Sequence, residues 1–218
     1  MESSMMHIPD GFLDLPISVL TYILAALSVG FVVYWLQRRD VNEASVPLLG
    51  VLAAAIFAAQ MLNWPIPGGT SAHFVGSGLA AVMLGPLRAV LVLASVIVVQ
   101  TLVFGDGGLT ALGANVFNMA VVGVVAAFLV YKIFERRSRF FSAFLAGWFG
   151  AVSAAVACGL EIGSSSIFAY NIAVTVPVMF GWHAVLGVVE GFATSAAVVF
   201  IMKRSPHLLA GVAEVKST

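Results

Sequence analysis

The chain has 218 residues, of which 61% are hydrophobic and 9% are charged, and its formal net charge is zero. Soluble domains carry about 25% charged residues, so this composition excludes a water-soluble globular protein. A balanced charge also gives no electrostatic reason to expect nucleic acid as a partner. The sequence therefore predicts an integral membrane protein with a single transmembrane domain over residues 1–218.

Seven apolar stretches follow one another along the chain, and most approach the roughly 20 residues that a helix needs to cross a bilayer. They comprise residues 12–36, 45–62, 71–85, 86–104, 112–134, 140–162 and 177–202. The third stretch is short, and the last could begin before Pro177. Their residues lack the alternation of a transmembrane β-strand. The pattern predicts an all-α bundle of about seven transmembrane helices.

The ten Lys and Arg residues predict the orientation of this bundle. With seven spans, all of them fall on one side, beside the connections that follow spans 1, 3, 5 and 7 and in the C-terminal tail. The positive-inside rule makes that side cytoplasmic. We therefore expect the N-terminus outside and the C-terminus in the cytoplasm, with the Gly- and Pro-rich outer connections holding the functional site.

Two of the four histidines, His7 and His73, lie in these outer segments. If Met6 were the first residue, its α-amine, the His7 amide nitrogen and His7 Nδ1 would close two fused chelate rings, and His73 would fill a fourth position. Four nitrogens in one plane suit Ni(II) or Cu(II), and Co(II) fits the same donors. Two alternatives remain open, in which His7 belongs to a frayed terminus and His73 bonds to loop carbonyls.

Other polar and small residues suggest supporting roles. Four of them could orient the ligands, namely Asp10, Ser71, Asp106 and Asn115. His183 and Glu190 lie two helical turns apart on one face of the last span, which fits either a metal or proton relay or a buried polar clamp. A small-residue stripe in the second span fits either packing inside the bundle or docking of another subunit, and it comprises Ala54, Ala55, Ala58 and Ala59.

Four segments closely resemble the CbiM/NikM family, the substrate-capture subunits of energy-coupling-factor transporters for cobalt and nickel. They read MHIPDGF, VPLLGVLAAAIFAAQMLNWPIPGGTSAHFVGSGLAAVMLGP, FGDGGLTALGANVFNMAVVG and HAVLGVVEG, and the similarity covers about residues 6–203. The resemblance implies seven helices with the N-terminus outside. It also implies that the metal is held by the terminal amine of Met6, by His7 through its amide and ring, and by His73.

Residues 1–5 depart from the family pattern, in which the Met-His pair begins the mature chain. We expect translation to begin at Met6, so that this N-terminal extension is absent from the mature protein. The alternatives are that the extension is removed after synthesis or that this chain binds metal differently. If the extension remained, the Met6 nitrogen would be an amide and a much poorer ligand.

The resemblance implies that the protein is the metal-capture subunit of an ATP-driven importer in a bacterial or archaeal cell (inner) membrane. Its transported substrate would be Co²⁺ or Ni²⁺, with no organic cofactor, and the residues do not choose between the two metals. Because the sequence has no P-loop motif, energy must come from other chains. The implied partners are a transmembrane coupling (T) subunit, ABC-type ATPase subunits and a small auxiliary membrane subunit.

Two other classes of protein compete with this interpretation. A passive divalent-metal channel would require a pore lined by rings of charge or carbonyl groups. An intramembrane metalloenzyme would require HExxH or a similar motif with an open water position, and the sequence contains no HExxH. We therefore expect a transport protein and not an enzyme.

Overall fold

The computed structural model describes residues 7–38 and 46–205 of the chain. Predictions about Met6 and the five residues before it, about Ser45 and about the C-terminal tail concern positions outside these ranges. The described helices are α1 Leu15–Leu36, α2 Val46–Gln60, α3 Ser77–Leu84, α4 Pro86–Phe104, α5 Leu112–Val116, α6 Val124–Phe134, α7 Arg139–Ser164 and α8 Ile172–Arg204.

A π-helical stretch, Phe117–Gly123, joins α5 to α6 and makes Leu112–Phe134 one continuous helix. Counted in this way, the described ranges contain seven helices, whereas the sequence predicted about seven transmembrane helices. Five of these are long and apolar enough to cross a membrane. The last of them begins at Ile172, five residues before the predicted start at Pro177, as the sequence allowed.

The prediction of a spanning helix over residues 71–85 was wrong. Ser71–His73 instead forms strand β2, which pairs antiparallel with strand β1, Asn63–Pro65. The chain then turns at Gly76, whose φ of +78° lies in the left-handed region, and α3 begins after it. Eight helical residues rise only about 12 Å, less than half of the roughly 30 Å hydrocarbon core. The two strands also correct the expectation of a purely helical chain.

The short helix α3 lies inside the bundle, with seven of its eight residues buried. A Cβ added at Gly78 would lie 2.4 Å from the Cα atom of Gly147 in α7. A Cβ added at Gly147 would in turn lie 2.9 Å from the Cα atom of Gly191 in α8. These three glycines let three helix backbones meet, which is how helices pack closely in membranes.

We expect Gly78→Ala to lower the unfolding midpoint of the detergent-solubilised protein. The added methyl group would overlap backbone atoms of Gly147 and Ala146, which cannot move aside without separating the helices. Overpacking of this kind costs about 1–3 kcal/mol. Gly181→Ala is the matched control, because nothing lies within 4 Å of its added Cβ, and its midpoint should be unchanged or slightly higher. Equal midpoints for the two variants would contradict this helix crossing.

Candidate metal centre

The N-terminal segment is fastened to the start of α5 by paired hydrogen bonds. The Ile8 N–H donates to Oδ1 of Asn115 over 3.0 Å, and Nδ2 of Asn115 donates to the Ile8 carbonyl over 3.2 Å. The same carbonyl accepts the Gly108 N–H at 2.9 Å. The Asn115 side chain thus pairs with the backbone beside His7 much as a neighbouring strand would.

The loop between α4 and α5 approaches His7 closely because it contains two adjacent glycines. Gly107 has φ +93°, and a Cβ added there would lie 2.9 Å from the Cβ of His7. A Cβ added at Gly108 would lie 2.2 Å from the Asp10 nitrogen. Only glycine fits at both positions. The preceding residue, Asp106, brings its Oδ2 to 3.6 Å from Nδ1 of His7.

Two carboxylates of the N-terminal segment are engaged in fastening it. Asp10 accepts the Thr110 N–H at 2.7 Å and the Thr110 hydroxyl at 2.6 Å. Burial alone would raise the pKa of Asp10, but hydrogen bonds from Thr110 and Leu109 outweigh it and hold the pKa below its usual value. Asp14 accepts the N–H and hydroxyl of Ser166, both at 2.8 Å, and these bonds lower the pKa of Asp14. Both groups therefore stay ionised near neutral pH.

His73 is buried with a defined tautomer. Its Nδ1 lies 2.8 Å from the Phe74 carbonyl, and since a carbonyl only accepts, Nδ1 carries the proton and Nε2 carries a lone pair. Burial, aided by the nearby His7 and His183 rings, lowers the pKa of His73 to about 3, so the ring is neutral at pH 7. His73 does bond a loop carbonyl, as one alternative held, and that bond leaves Nε2 available to a metal.

His7 lies beside His73 and is not part of a frayed terminus. It is 2% exposed, and its ring centroid lies 5.1 Å from that of His73. Two imidazoles on one metal, each bonded over about 2 Å, have centroids roughly 4 to 6 Å apart. Among the described residues, neither ring nitrogen of His7 has a hydrogen-bond partner. Buried polar atoms of this kind require an explanation, and a bound ion is one.

His183 and Glu190, the polar pair predicted in the last span, bond to different parts of the protein. His183 donates from Nδ1 to the Met179 carbonyl at 2.9 Å, and its ring centroid lies 6.3 Å from that of His73. Glu190 instead accepts the N–H groups of Val75 and Gly76 at 2.9 and 2.7 Å. His183 therefore belongs to the surroundings of the two outer histidines, whereas Glu190 caps the beginning of α3.

A cavity of about 30 Å³ lies among these histidines, which is room for one ion or water molecule. Its lining includes the three histidines with Thr70, Asn115, Asn118, Cys158 and Met179. Asn118 was not among the residues predicted from the sequence, although Asn118 follows Asn115 by three residues and therefore shares its helix face. Asn118 lies in the π-helical stretch, and π-bulges are frequent at functional sites.

The remaining predicted residues lie outside this cavity lining. Ser71 is buried at the start of β2, opposite Pro65 in the strand pairing. The small-residue stripe of α2 is on the surface of the bundle, where Ala54, Ala55 and Ala58 are exposed and Ala59 is partly exposed. The stripe is therefore available to lipid or to another subunit.

Side chains alone do not complete a metal site here. In the part of the chain that the structure describes, no group of three or more His, Cys, Asp or Glu side chains is arranged to hold an ion. Two close imidazoles supply two nitrogens. A full set of nitrogen donors would have to include backbone nitrogens near His7.

Comparisons with known proteins agree along nearly the whole chain. The family model for the cobalt uptake substrate-specific transmembrane region, CbiM, matches residues 7–208. A putative fused nickel transport protein NikMN from Archaeoglobus fulgidus is 52% identical over 204 residues, which cover 94% of this chain and 68% of that protein. The cobalt transport protein CbiM from Sorangium cellulosum is 33% identical over 216 residues, which cover 94% of each chain.

The fold is similar to that of a solved transporter. A crystal structure of a truncated transition metal transporter superposes with a TM-score of 0.86 at 30% identity, covering 90% of this chain and 98% of that chain. Together with the five long apolar helices, this likeness confirms a multi-pass membrane protein. The relatives are named as metal transport proteins and not as enzymes, which confirms the expectation of a transport protein.

We expect Asn115→Leu to loosen the N-terminal segment without unfolding the bundle. Leucine has a similar size but can neither accept from the Ile8 N–H nor donate to its carbonyl. Hydrogen–deuterium exchange should become faster at Ile8 and Gly108 and stay unchanged in α7. Asn63→Leu is the control, since Asn63 does not line the cavity and its side chain donates only a long 3.5 Å bond to the Met61 carbonyl. Unchanged exchange at Ile8 in Asn115→Leu would contradict the fastening role.

Proposed function

Because this chain belongs to the CbiM family of cobalt uptake substrate-specific transmembrane proteins, we propose that it is the metal-capture subunit of an ATP-driven cobalt or nickel importer. The observation that carries the proposal is the buried pair of imidazoles, His7 and His73, beside a cavity with room for one ion. Co²⁺ or Ni²⁺ is the transported substrate, and the protein needs no organic cofactor for capture.

Four nitrogens bind the ion in this proposal. They are the Met6 amine, the His7 amide nitrogen, His7 Nδ1 and His73 Nε2. The tautomer of His73 supports its part, because Nδ1 is already committed to the Phe74 carbonyl. Nitrogen donors suit Ni²⁺ and Co²⁺, and binding releases the protons that the amine and amide carry. The Asp106 carboxylate, 3.6 Å from His7 Nδ1, offsets part of the positive charge of the ion.

The basic residues support an outward-facing site. In the described ranges, Lys132 and Arg136 lie near the α6–α7 connection, and Lys203 and Arg204 end α8. The histidine segments instead lie near the start of α5, at the opposite end of the same helix as Lys132. The positive-inside rule makes the basic end cytoplasmic and the metal site external. The protein would then take up its ion outside a bacterial or archaeal cell (inner) membrane and release it inward.

Inward release requires other chains. We assign the energy source to ABC-type ATPase subunits, since this sequence has no nucleotide-binding motif. A transmembrane coupling subunit would dock on the exposed small-residue stripe of α2, where Ala54 and Ala58 allow a close helix approach. A small auxiliary membrane subunit completes the assembly. A cavity with room for one ion favours this capture role over a passive channel.

We expect His73→Ala to weaken Ni²⁺ and Co²⁺ binding by more than about 100-fold, because it removes a direct ligand. Calorimetric titration of the detergent-purified variant measures the affinity, and an unchanged unfolding midpoint shows that the bundle persists. His183→Ala is the matched control, since it removes a buried imidazole of the same cavity that is outside the proposed ligand set. Wild-type affinity in His73→Ala for both metals would refute the assignment.

The chain should bind metal tightly only when it begins at Met6. An α-amine has a pKa near 8 and loses its proton easily, whereas an amide nitrogen at the same position does not. Each pKa unit of added deprotonation cost is about 1.4 kcal/mol, or tenfold in affinity. Two forms of the protein, beginning at Met1 and at Met6 and verified by intact mass, should therefore differ in Ni²⁺ affinity by orders of magnitude. Equal affinities would exclude the Met6 amine as a ligand.

A further inference from the structure

The chain between β2 and α3 begins directly after His73, enters the bundle and needs hydrogen-bond partners from other helices. An irregular backbone inside a membrane protein is tolerated only where its polar groups are satisfied. Glu190 accepts the N–H groups of Val75 and Gly76, and the His73 ring donates to the Phe74 carbonyl. The Val75 carbonyl has a different partner, the Gln60 side chain of α2, which donates from Nε2 over 2.9 Å.

Gln60 is held in turn by a second amide. Nε2 of Gln100, in α4, donates to Oε1 of Gln60 over 2.9 Å, and both glutamines are completely buried. Burying two amides among apolar helices is costly unless they are hydrogen-bonded. The Gln100–Gln60–Val75 chain offsets part of that cost, because both polar atoms of the Gln60 amide and Nε2 of Gln100 are hydrogen-bonded. It also orders the carbonyl two residues after His73. Neither glutamine lines the metal cavity, so neither is a ligand.

Helix α2 touches the His73 segment at a second point. Ile56, one turn before Gln60, packs against the turn residue, and a Cβ added at Gly76 would lie 2.6 Å from Cγ2 of Ile56. Leu52 continues this buried face, whereas Gly50, Ala54 and Ala58 are exposed on the opposite face. One face of α2 therefore contacts the backbone that follows the histidine, and the other is open at the surface.

We infer that Gln60 is a positioning residue that couples the metal site to α2. Its hydrogen bond to Val75 fixes the backbone that holds His73, so the position of α2 and the affinity for metal depend on each other. By linkage, an ion that orders His73 must also order α2, and a displacement of α2 must weaken binding by the same factor. The inference rests on the proposed function, because it takes His73 as a ligand.

The test compares the complete purified protein with Gln60→Met, which keeps the length of the side chain but cannot donate. We expect about tenfold weaker Ni²⁺ binding, since the Val75 carbonyl loses its buried donor. We also expect Ni²⁺ to slow hydrogen–deuterium exchange in α2 of the wild type and to lose that effect in the variant. A role in stability alone would lower the unfolding midpoint and leave both Ni²⁺ readouts unchanged.

Ser195→Ala is the matched control. It removes similarly buried hydrogen bonds, from the Ser195 hydroxyl to the Phe140 and Gly191 carbonyls, away from the cavity. Its Ni²⁺ affinity and the protection of α2 should match the wild type. Gln60→Asn serves as the second variant if Gln60→Met does not fold. It retains an amide, but the side chain is one carbon too short to reach Val75, so we expect the same loss of Ni²⁺ affinity and of α2 protection.

The outcomes separate this inference from the proposed function. If His73→Ala loses metal binding while Gln60→Met and Gln60→Asn bind and protect α2 like the wild type, the positioning role is wrong and the capture function stands. If His73→Ala itself binds like the wild type, the ligand assignment fails first. Loss of both affinity and α2 protection in the Gln60 variants, with Ser195→Ala unaffected, supports the coupling.

Discussion

The hydrogen bonds between Glu190 and the backbone of Val75 and Gly76 are the contact on which the arrangement of this molecule depends. Hydrocarbon offers no hydrogen-bond partners, so a chain that stops being helical inside a bundle needs partners from its neighbours. A carboxylate at the beginning of α3 supplies two acceptors and matches the positive end of the helix dipole. The adjacent Gly191 meets Gly147, and that close crossing brings α8 near enough for Glu190 to reach.

The two histidines reach the cavity on structurally independent supports. His73 is the last residue of strand β2, and the chain that follows it is held by α8 and α2. His7 lies on a terminal segment held by Asn115 and the glycine loop. Neither histidine lies in a membrane-spanning helix. An ion bound by both would join two segments that are held by different hydrogen bonds, so binding would order a larger region than the ligands themselves.

Hydropathy predicted the five long apolar helices because a spanning helix is defined by its length and apolar character, which are local properties. It failed for residues 71–85 because an apolar stretch looks the same whether it crosses the membrane or forms a buried half-helix. The placement of His7 beside His73 was predictable from the topology and the family motifs. The Gln60–Gln100 pair was not, because the two residues lie in different helices and their separation in sequence carries no periodic signal.

In the proposed function, the division between rigid helices and separately held histidine segments would let one fold both retain an ion and release it. The glycine crossings of α3, α7 and α8 depend on close backbone packing, which tolerates little displacement. The segments that carry the histidines are instead held by individual hydrogen bonds, each with a net value of about 1 kcal/mol. In the proposed transporter, a partner that displaces α2 therefore needs to break only a few such bonds to disturb His73, and the long helices can keep their packing while the ion is released.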